Sequence, residues 1–151
     1  DADADADACP DEPVYDDSGD CPSVCSGGCQ ETTCVVDCAE VNGCGNSTLL
    51  CPPGRDCDVR CSGTNSCVNA TLVCPTEAGC DVDCSGNNSC TNAVLACPET
   101  SHCDLSCSGP ASCTNGTMAC GARACESSCT GGGASLSTMD CGDSCDCIDG
   151  C

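Results

Sequence analysis

Along residues 57–120, apolar and polar positions alternate in short runs, and the runs return in phase every 23 residues. Cys57-Asp58-Val59-Arg60-Cys61 comes back as Cys80-Asp81-Val82-Asp83-Cys84 and as Cys103-Asp104-Leu105-Ser106-Cys107. Alternation of this kind marks a strand with one buried face. Cys57, Val59 and Cys61 point inward, and Asp58 and Arg60 point outward. Thr71-Leu72-Val73-Cys74 alternates in the same way, with Leu72 and Cys74 inward and Thr71 and Val73 outward. The short piece Ser66–Asn69 between them has strand-like length. Gly63 with Asn65, Pro75 and Gly79 stand at the corners. No stretch has helical periodicity. Three short strands and three corners per 23-residue period predict an all-β fold, a disulfide-rich parallel β-helix, or solenoid, of about five coils rising about 4.8 Å each.

The period divides the chain. The coils are 34–56, 57–79, 80–102, 103–124 and 125–141, and together they make the repeat region 34–141. The fifth is degraded: its third cysteine is missing near Ser135, and Gly131-Gly132-Gly133 replaces the usual turn. Residues 21–33 read as an N-terminal capping half-coil and 142–151 as a cysteine-rich C-terminal cap, since terminal repeats are atypical. Residues 1–20 are an acidic extension. It begins Asp1, Ala2, Asp3, Ala4, Asp5, Ala6, Asp7, Ala8, a candidate assembly strand. The chain starts without Met or leader, so it reads as a mature, processed product or as part of a longer one.

Composition explains what holds such a fold. Leu, Ile and Val number 17 of 151 residues, and Tyr15 is the sole aromatic residue. Apolar burial of that size does not stabilise a domain, so cross-links must. There are 26 cysteines, an even count at regular spacing. The coil framework is Cys34, Cys38, Cys44 and Cys51; then Cys57, Cys61, Cys67 and Cys74; then Cys80, Cys84, Cys90 and Cys97; then Cys103, Cys107, Cys113 and Cys120. Bridges from rung to rung and bridges across one coil both fit, and spacing does not choose between them. Metal-type C-x2-C pairs are missing, so the cysteines read as disulfides rather than zinc ligands. Disulfides persist in oxidising compartments, which predicts an extracellular protein, secreted or at the cell surface.

Charge narrows the partners. Twenty-four acids face three arginines (Arg55, Arg60 and Arg123) and no lysine, a net charge of −21. Nucleic acid and anionic membrane surfaces need a basic footprint and are excluded as natural partners. No apolar run reaches the length of a membrane span, so membrane insertion is excluded too.

In stacked coils, residues one period apart form columns, and function is sought on the outward ones. Asp58, Asp81, Asp104 and Glu126 form an acidic column. Neighbouring carboxylates repel by about 1 kcal/mol in water. The column reads as a solvated face, with Ca²⁺ binding as the alternative, since calcium takes oxygen ligands. Asn46, Asn69 and Asn115 begin N-glycosylation acceptors in one column that also holds Asn92, and Asn87 begins another on the preceding corner. The alternation from Leu72 and Cys74 turns this column outward. N-linked glycans are therefore expected in preference to an internal ladder of stacked amides. A third column is Thr48, Thr71, Val94, Thr117 and Thr138, which raises ice binding as a second function. No nucleophile motif or acid/base pair is present, and His102 reads as an exposed corner residue, so no catalysis and no cofactor are expected.

The motif C-[DE]-[VL]-x-C-S-G-x-x-S-C-x-N-A-x-[LM]-x-C, over residues 34–141, resembles the cysteine-rich β-helix repeats of predicted extracellular proteins from protists and algae. The resemblance implies fold and exterior location more than activity. Coil one departs from it at Ala39-Glu40-Val41-Asn42-Gly43. In architecture the chain also resembles the disulfide-braced antifreeze solenoids of insects. It lacks their repeating Thr-Cys-Thr, since its second rank is Leu50, Val73, Ala96, Ala119 and Asp140.

These readings converge on a structural subunit of an extracellular, glycosylated fibril or surface coat. It would self-assemble head to tail through the solenoid ends and the N-terminal extension. Ice binding is the alternative, and a cation-binding or adhesive module the third.

Overall fold

A computed structural model describes residues 9, 11 and 19–151. The described residues hold twelve short strands and no helix. In chain order the strands are β1 Gly28–Gln30, β2 Thr33–Asp37, β3 Thr48–Leu50, β4 Asp56–Arg60, β5 Thr71–Val73 and β6 Cys80–Asp83. They continue with β7 Val94–Ala96, β8 Cys103–Cys107, β9 Gly116–Ala119, β10 Cys125–Cys129, β11 Leu136–Asp140 and β12 Cys147–Gly150. They form two sheets, one of seven strands in the order β1-β2-β4-β6-β8-β10-β12 and one of five in the order β11-β9-β7-β5-β3. Every pairing is parallel and steps one coil, except β1, which pairs antiparallel with β2 and covers the N-terminal edge of the larger sheet. The fold is a β-solenoid of about five turns, as the period predicts.

Each coil has two strands, not three. Ser66–Asn69 is a turn in which every second residue is left-handed: Asn65, Cys67 and Asn69 have φ of 56°, 56° and 57°. Asn88, Cys90 and Asn92 repeat the conformation one coil on, at 57°, 56° and 57°. Asparagine tolerates this region better than most residues; cysteine does not. A disulfide ties Cys67 to Cys61 and holds the cysteine where it is.

The core lies between the sheets. Val36, Val59, Val82 and Leu105 face inward from the larger sheet, and Leu72, Leu95 and Met118 from the smaller. Cystines fill the two margins. Cys38–Cys44, Cys61–Cys67, Cys84–Cys90 and Cys107–Cys113 clip one arc in each of the first four coils. Cys51–Cys57, Cys74–Cys80, Cys97–Cys103, Cys120–Cys125 and Cys141–Cys147 clip the other. No cysteine is free. The two ends of each clipped arc bring their Cα atoms to 5.7–6.0 Å, within the reach of a disulfide. Cysteines at the two ends of an arc face each other across the narrow margin. Only Cys129–Cys151 joins paired rungs, at a separation of 22 residues. Cystines in this number place folding in an oxidising environment.

The ends differ from the coils. Cys21–Cys29 and Cys25–Cys34 brace the β1 hairpin, so residues 21–33 cap the solenoid with an antiparallel arm rather than a shortened coil. At the other end β12 adds a parallel strand beside β10, within the segment read as a cap. Cys9 is bonded to Cys145 in the last arc, while the buried Arg55 guanidinium, in the first coil, donates to the Gly19 and Asp20 carbonyls. Cys9 is thus anchored at the C-terminal end of the solenoid, and Gly19 and Asp20 at its first coil.

Candidate functional site

Three outward columns reach the surface as the repeat demands, and each has its own chemistry. The acidic column stands on the larger sheet, where strand register sets Asp58 beside Asp81, Asp81 beside Asp104, and Asp104 beside Glu126. The environments are unequal. Arg60, two residues along the same face of β4, donates from Nη2 at 2.7 Å and from Nε at 3.0 Å to Asp58 Oδ2. That bond holds the guanidinium above its ordinary range. One coil on, the place of Arg60 is taken by Asp83, and the partner comes from elsewhere. His102, in the arc entering β8, places Nε2 3.6 Å from Asp81 Oδ1. Hydrogen bonding to His102 keeps the Asp81 carboxyl below the usual range. Asp104 has no such partner of its own. Burial first, and the Asp81 charge second, push its carboxyl up to about 6.

His102 corrects the sequence expectation. It is not an exposed corner residue: its side chain is 29 % exposed, and the ring lies back against the coil beneath. The residue one period earlier is Gly79, and a Cβ there would run into the imidazole. The missing side chain at 79 lets the ring lean one coil down to reach Asp81. Gly79 itself is pinned by its N–H, which donates to Asp56 Oδ1 at 2.7 Å. The signal was present in the sequence as a Gly-to-His change in one column, but it carries meaning only once the columns are known to touch. Ligand atoms of Asp81, His102 and Asp104 lie within 4.8 Å of one another. Beside them a shallow cleft of about 190 Å³ is lined by Asp81, Asp83, Asp104, Ser106, Glu126 and Ser128.

The asparagine column sits on the left-handed arc. Asn46, Asn69, Asn92 and Asn115 are all exposed, with φ of 55°, 57°, 57° and 59°. Their amides nonetheless form a ladder: Asn69 Nδ2 donates to Asn46 Oδ1 at 3.0 Å, and Asn92 Nδ2 to Asn69 Oδ1 at 3.0 Å. A second ladder runs beside it, from Asn88 Nδ2 to Asn65 Oδ1 at 2.8 Å. The opposition between an outward column and a stacked ladder dissolves. A left-handed arc lets the amides point along the rod axis while remaining at the surface. Asn87 is exposed on the same arc.

The third column covers the smaller sheet. Thr48, Thr71, Val94, Thr117 and Thr138 stand in register, as do Leu50, Val73, Ala96, Ala119 and Asp140. In a chain of net charge −21, these two ranks carry no ionisable side chain until Asp140. A register shift lies between Leu136 and Thr138 at the start of β11, after which Thr138 stands opposite Thr117 and Asp140 opposite Ala119. The assembly strand expected at Asp1–Ala8 lies outside the described residues.

No family model, no curated protein and no solved structure matches this chain.

Proposed function

We propose that the chain is a structural subunit of an extracellular fibril or surface coat, secreted or held at the cell surface, and assembled head to tail. The observation that carries this reading is the placement of exposed apolar surface. Four large hydrophobic residues are left exposed among the described residues. Val41 (67 %) and Leu50 (61 %) belong to the first coil, and Ile148 (48 %) belongs to the last strand; Val94 (45 %) alone lies mid-rod. Unpaired strand edges lie in the same places. β3 and β11 are the outer strands of the smaller sheet. Exposed edges are templates for another copy. If β11 of one subunit meets β3 of the next, Thr138 continues the threonine column to Thr48 and the sheet runs on in its own register. A head-to-tail contact whose rotation does not close makes a filament. Exposed acceptors at Asn46, Asn69, Asn87 and Asn115 support N-linked glycans on its flank. No catalytic role is assigned. Electron microscopy and sedimentation velocity test the reading. Wild type should form filaments above a critical concentration, and Leu50→Glu, which places a charge on the joint, should remain monomeric. A wild-type protein that is monomeric at every concentration would end it.

A second reading is favoured by the uncharged, in-register face of the smaller sheet. Ranked threonine and small apolar side chains on a rigid plane suit an ordered water lattice, and ice adsorption through that face follows. Thermal hysteresis that disappears in Thr71→Glu would favour it over the filament. Wild-type protein without hysteresis would dismiss it.

A further inference from the structure

Asp81, Asp104 and His102 come together from two neighbouring coils. Asp81 lies on β6 and Asp104 directly beside it on β8, in parallel register. His102 reaches them from the arc entering β8, because Gly79 leaves room for its ring. The carboxylates project from hydrogen-bonded strands, and the arc before each strand is clipped by Cys74–Cys80 or Cys97–Cys103. The three side chains therefore hang from a fixed frame. Their ligand atoms lie within 4.8 Å of one another. Ligands at about 2.1 Å from a zinc ion stand about 3.4 Å apart, so small rotations about χ close the gap. The adjoining cleft leaves the outward positions open to water. Asp58, the other Asp of the column, is engaged by Arg60 and takes no part.

We propose that Asp81, His102 and Asp104 form a binding site for a divalent first-row transition metal ion, with Zn²⁺ as the reference ion. The imidazole distinguishes the site from a solvated acidic face. Nitrogen donors favour Zn²⁺, Cu²⁺ or Ni²⁺, whereas carboxylate and water alone suit Ca²⁺ and Mg²⁺. The cation takes up the repulsion between two carboxylates that the register forces side by side. It also ties β6 to β8, two neighbouring strands that no disulfide joins directly.

The test uses full-length, disulfide-intact, metal-free protein in about 0.15 M NaCl, where diffuse binding to the acidic surface is screened. The chain has one histidine, so a single pair of imidazole resonances reports the site. Titration with ZnCl₂ should shift the His102 ring signals with saturation at one equivalent. Calorimetry should show the affinity falling tenfold or more in His102→Ala and in Asp104→Asn, and staying within twofold in Asp140→Asn on the other sheet. CaCl₂ in excess should not displace the zinc. An unmoved His102 resonance at saturating zinc overturns the site, and needs no variant to fold. Equal zinc affinity in wild type and His102→Ala overturns it as well, because binding would then belong to the acidic surface at large.

Discussion

A methyl group added at Gly86 would run into the carbonyl oxygen of Gly63, the equivalent residue of the coil beneath. Gly109 stands in the same relation to Gly86, and Gly131 to Gly109. None of these glycines has a left-handed φ, so the constraint is the distance between coils. Backbone cannot move aside as a side chain can. Gly86→Ala should cost about 1–3 kcal/mol, whereas Gly132→Ala, which meets nothing within 4 Å, should be neutral. Denaturant unfolding with the disulfides intact compares them; equal midpoints would contradict the argument. Asp104 makes a second residue-scale prediction. Its carboxyl is pushed up to about 6, above the ordinary value of about 3.9. The folded state therefore holds that proton more tightly than the unfolded chain. The resulting stability is fully present below about pH 3.9 and is lost as pH rises through about 6. Asp81 is shifted the other way, so its contribution is present at higher pH and lost on acidification. Asp104→Asn in metal-free buffer should remove the loss between pH 4 and 6 and slightly raise stability at pH 7. Asp104 is exposed, so screening keeps the gain within about 1 kcal/mol. Carbon NMR of the Asp104 carboxyl in wild type should titrate near 6; a midpoint near 4 would refute the assignment.

At the scale of elements, the bridges are of two kinds. A clip across an arc, such as Cys61–Cys67 at a separation of 6, closes a short loop. Chain entropy assigns it about 2 kcal/mol. Its main work is conformational, since it holds Cys67 in the left-handed region. Cys9–Cys145 closes a loop at a separation of 136. The same argument gives about 4–5 kcal/mol, after allowing for the clips that shorten the loop. The double substitution Cys9→Ser, Cys145→Ser should leave the far-ultraviolet circular dichroism of the sheets unchanged and lower the guanidinium midpoint by an amount of that order. Loss of the sheet signal itself would mean that the bridge is needed to form the solenoid rather than to secure it. Strands were legible in the sequence because alternation with period two survives in any parallel stack. The left-handed arc was not, because Ser66–Asn69 has the length of a strand and no pattern that distinguishes it. The asparagines at 65 and 69 were the available hint.

For the whole molecule, charge opposes association. A subunit of net charge −21 repels its copies until salt screens them. If assembly runs end to end through the first and last coils, the critical concentration for filaments should fall as NaCl rises from about 0.02 to 0.2 M, a range over which the screening length shrinks severalfold. Sedimentation at the two salt concentrations measures this. A critical concentration that rises with salt would mean that the joints are ionic rather than apolar. Cystine, not aliphatic bulk, carries the interior, so the rod depends on the redox state of its surroundings as few domains of this length do.

The amino-acid sequence by itself determined the coil length, the inward and outward alternation, the cystine dependence and the outward placement of the acidic, asparagine and threonine columns. A period and an alternation are one-dimensional properties, and in a stack they translate directly into position. What only the tertiary structure decided are relations between neighbours that no spacing encodes. Cysteines pair across arcs because each arc folds its two ends to within disulfide reach. Exposed asparagines form a ladder because their arc is left-handed. His102 leaves its corner for Asp81 because the residue beneath it, 23 positions away in sequence, is Gly79.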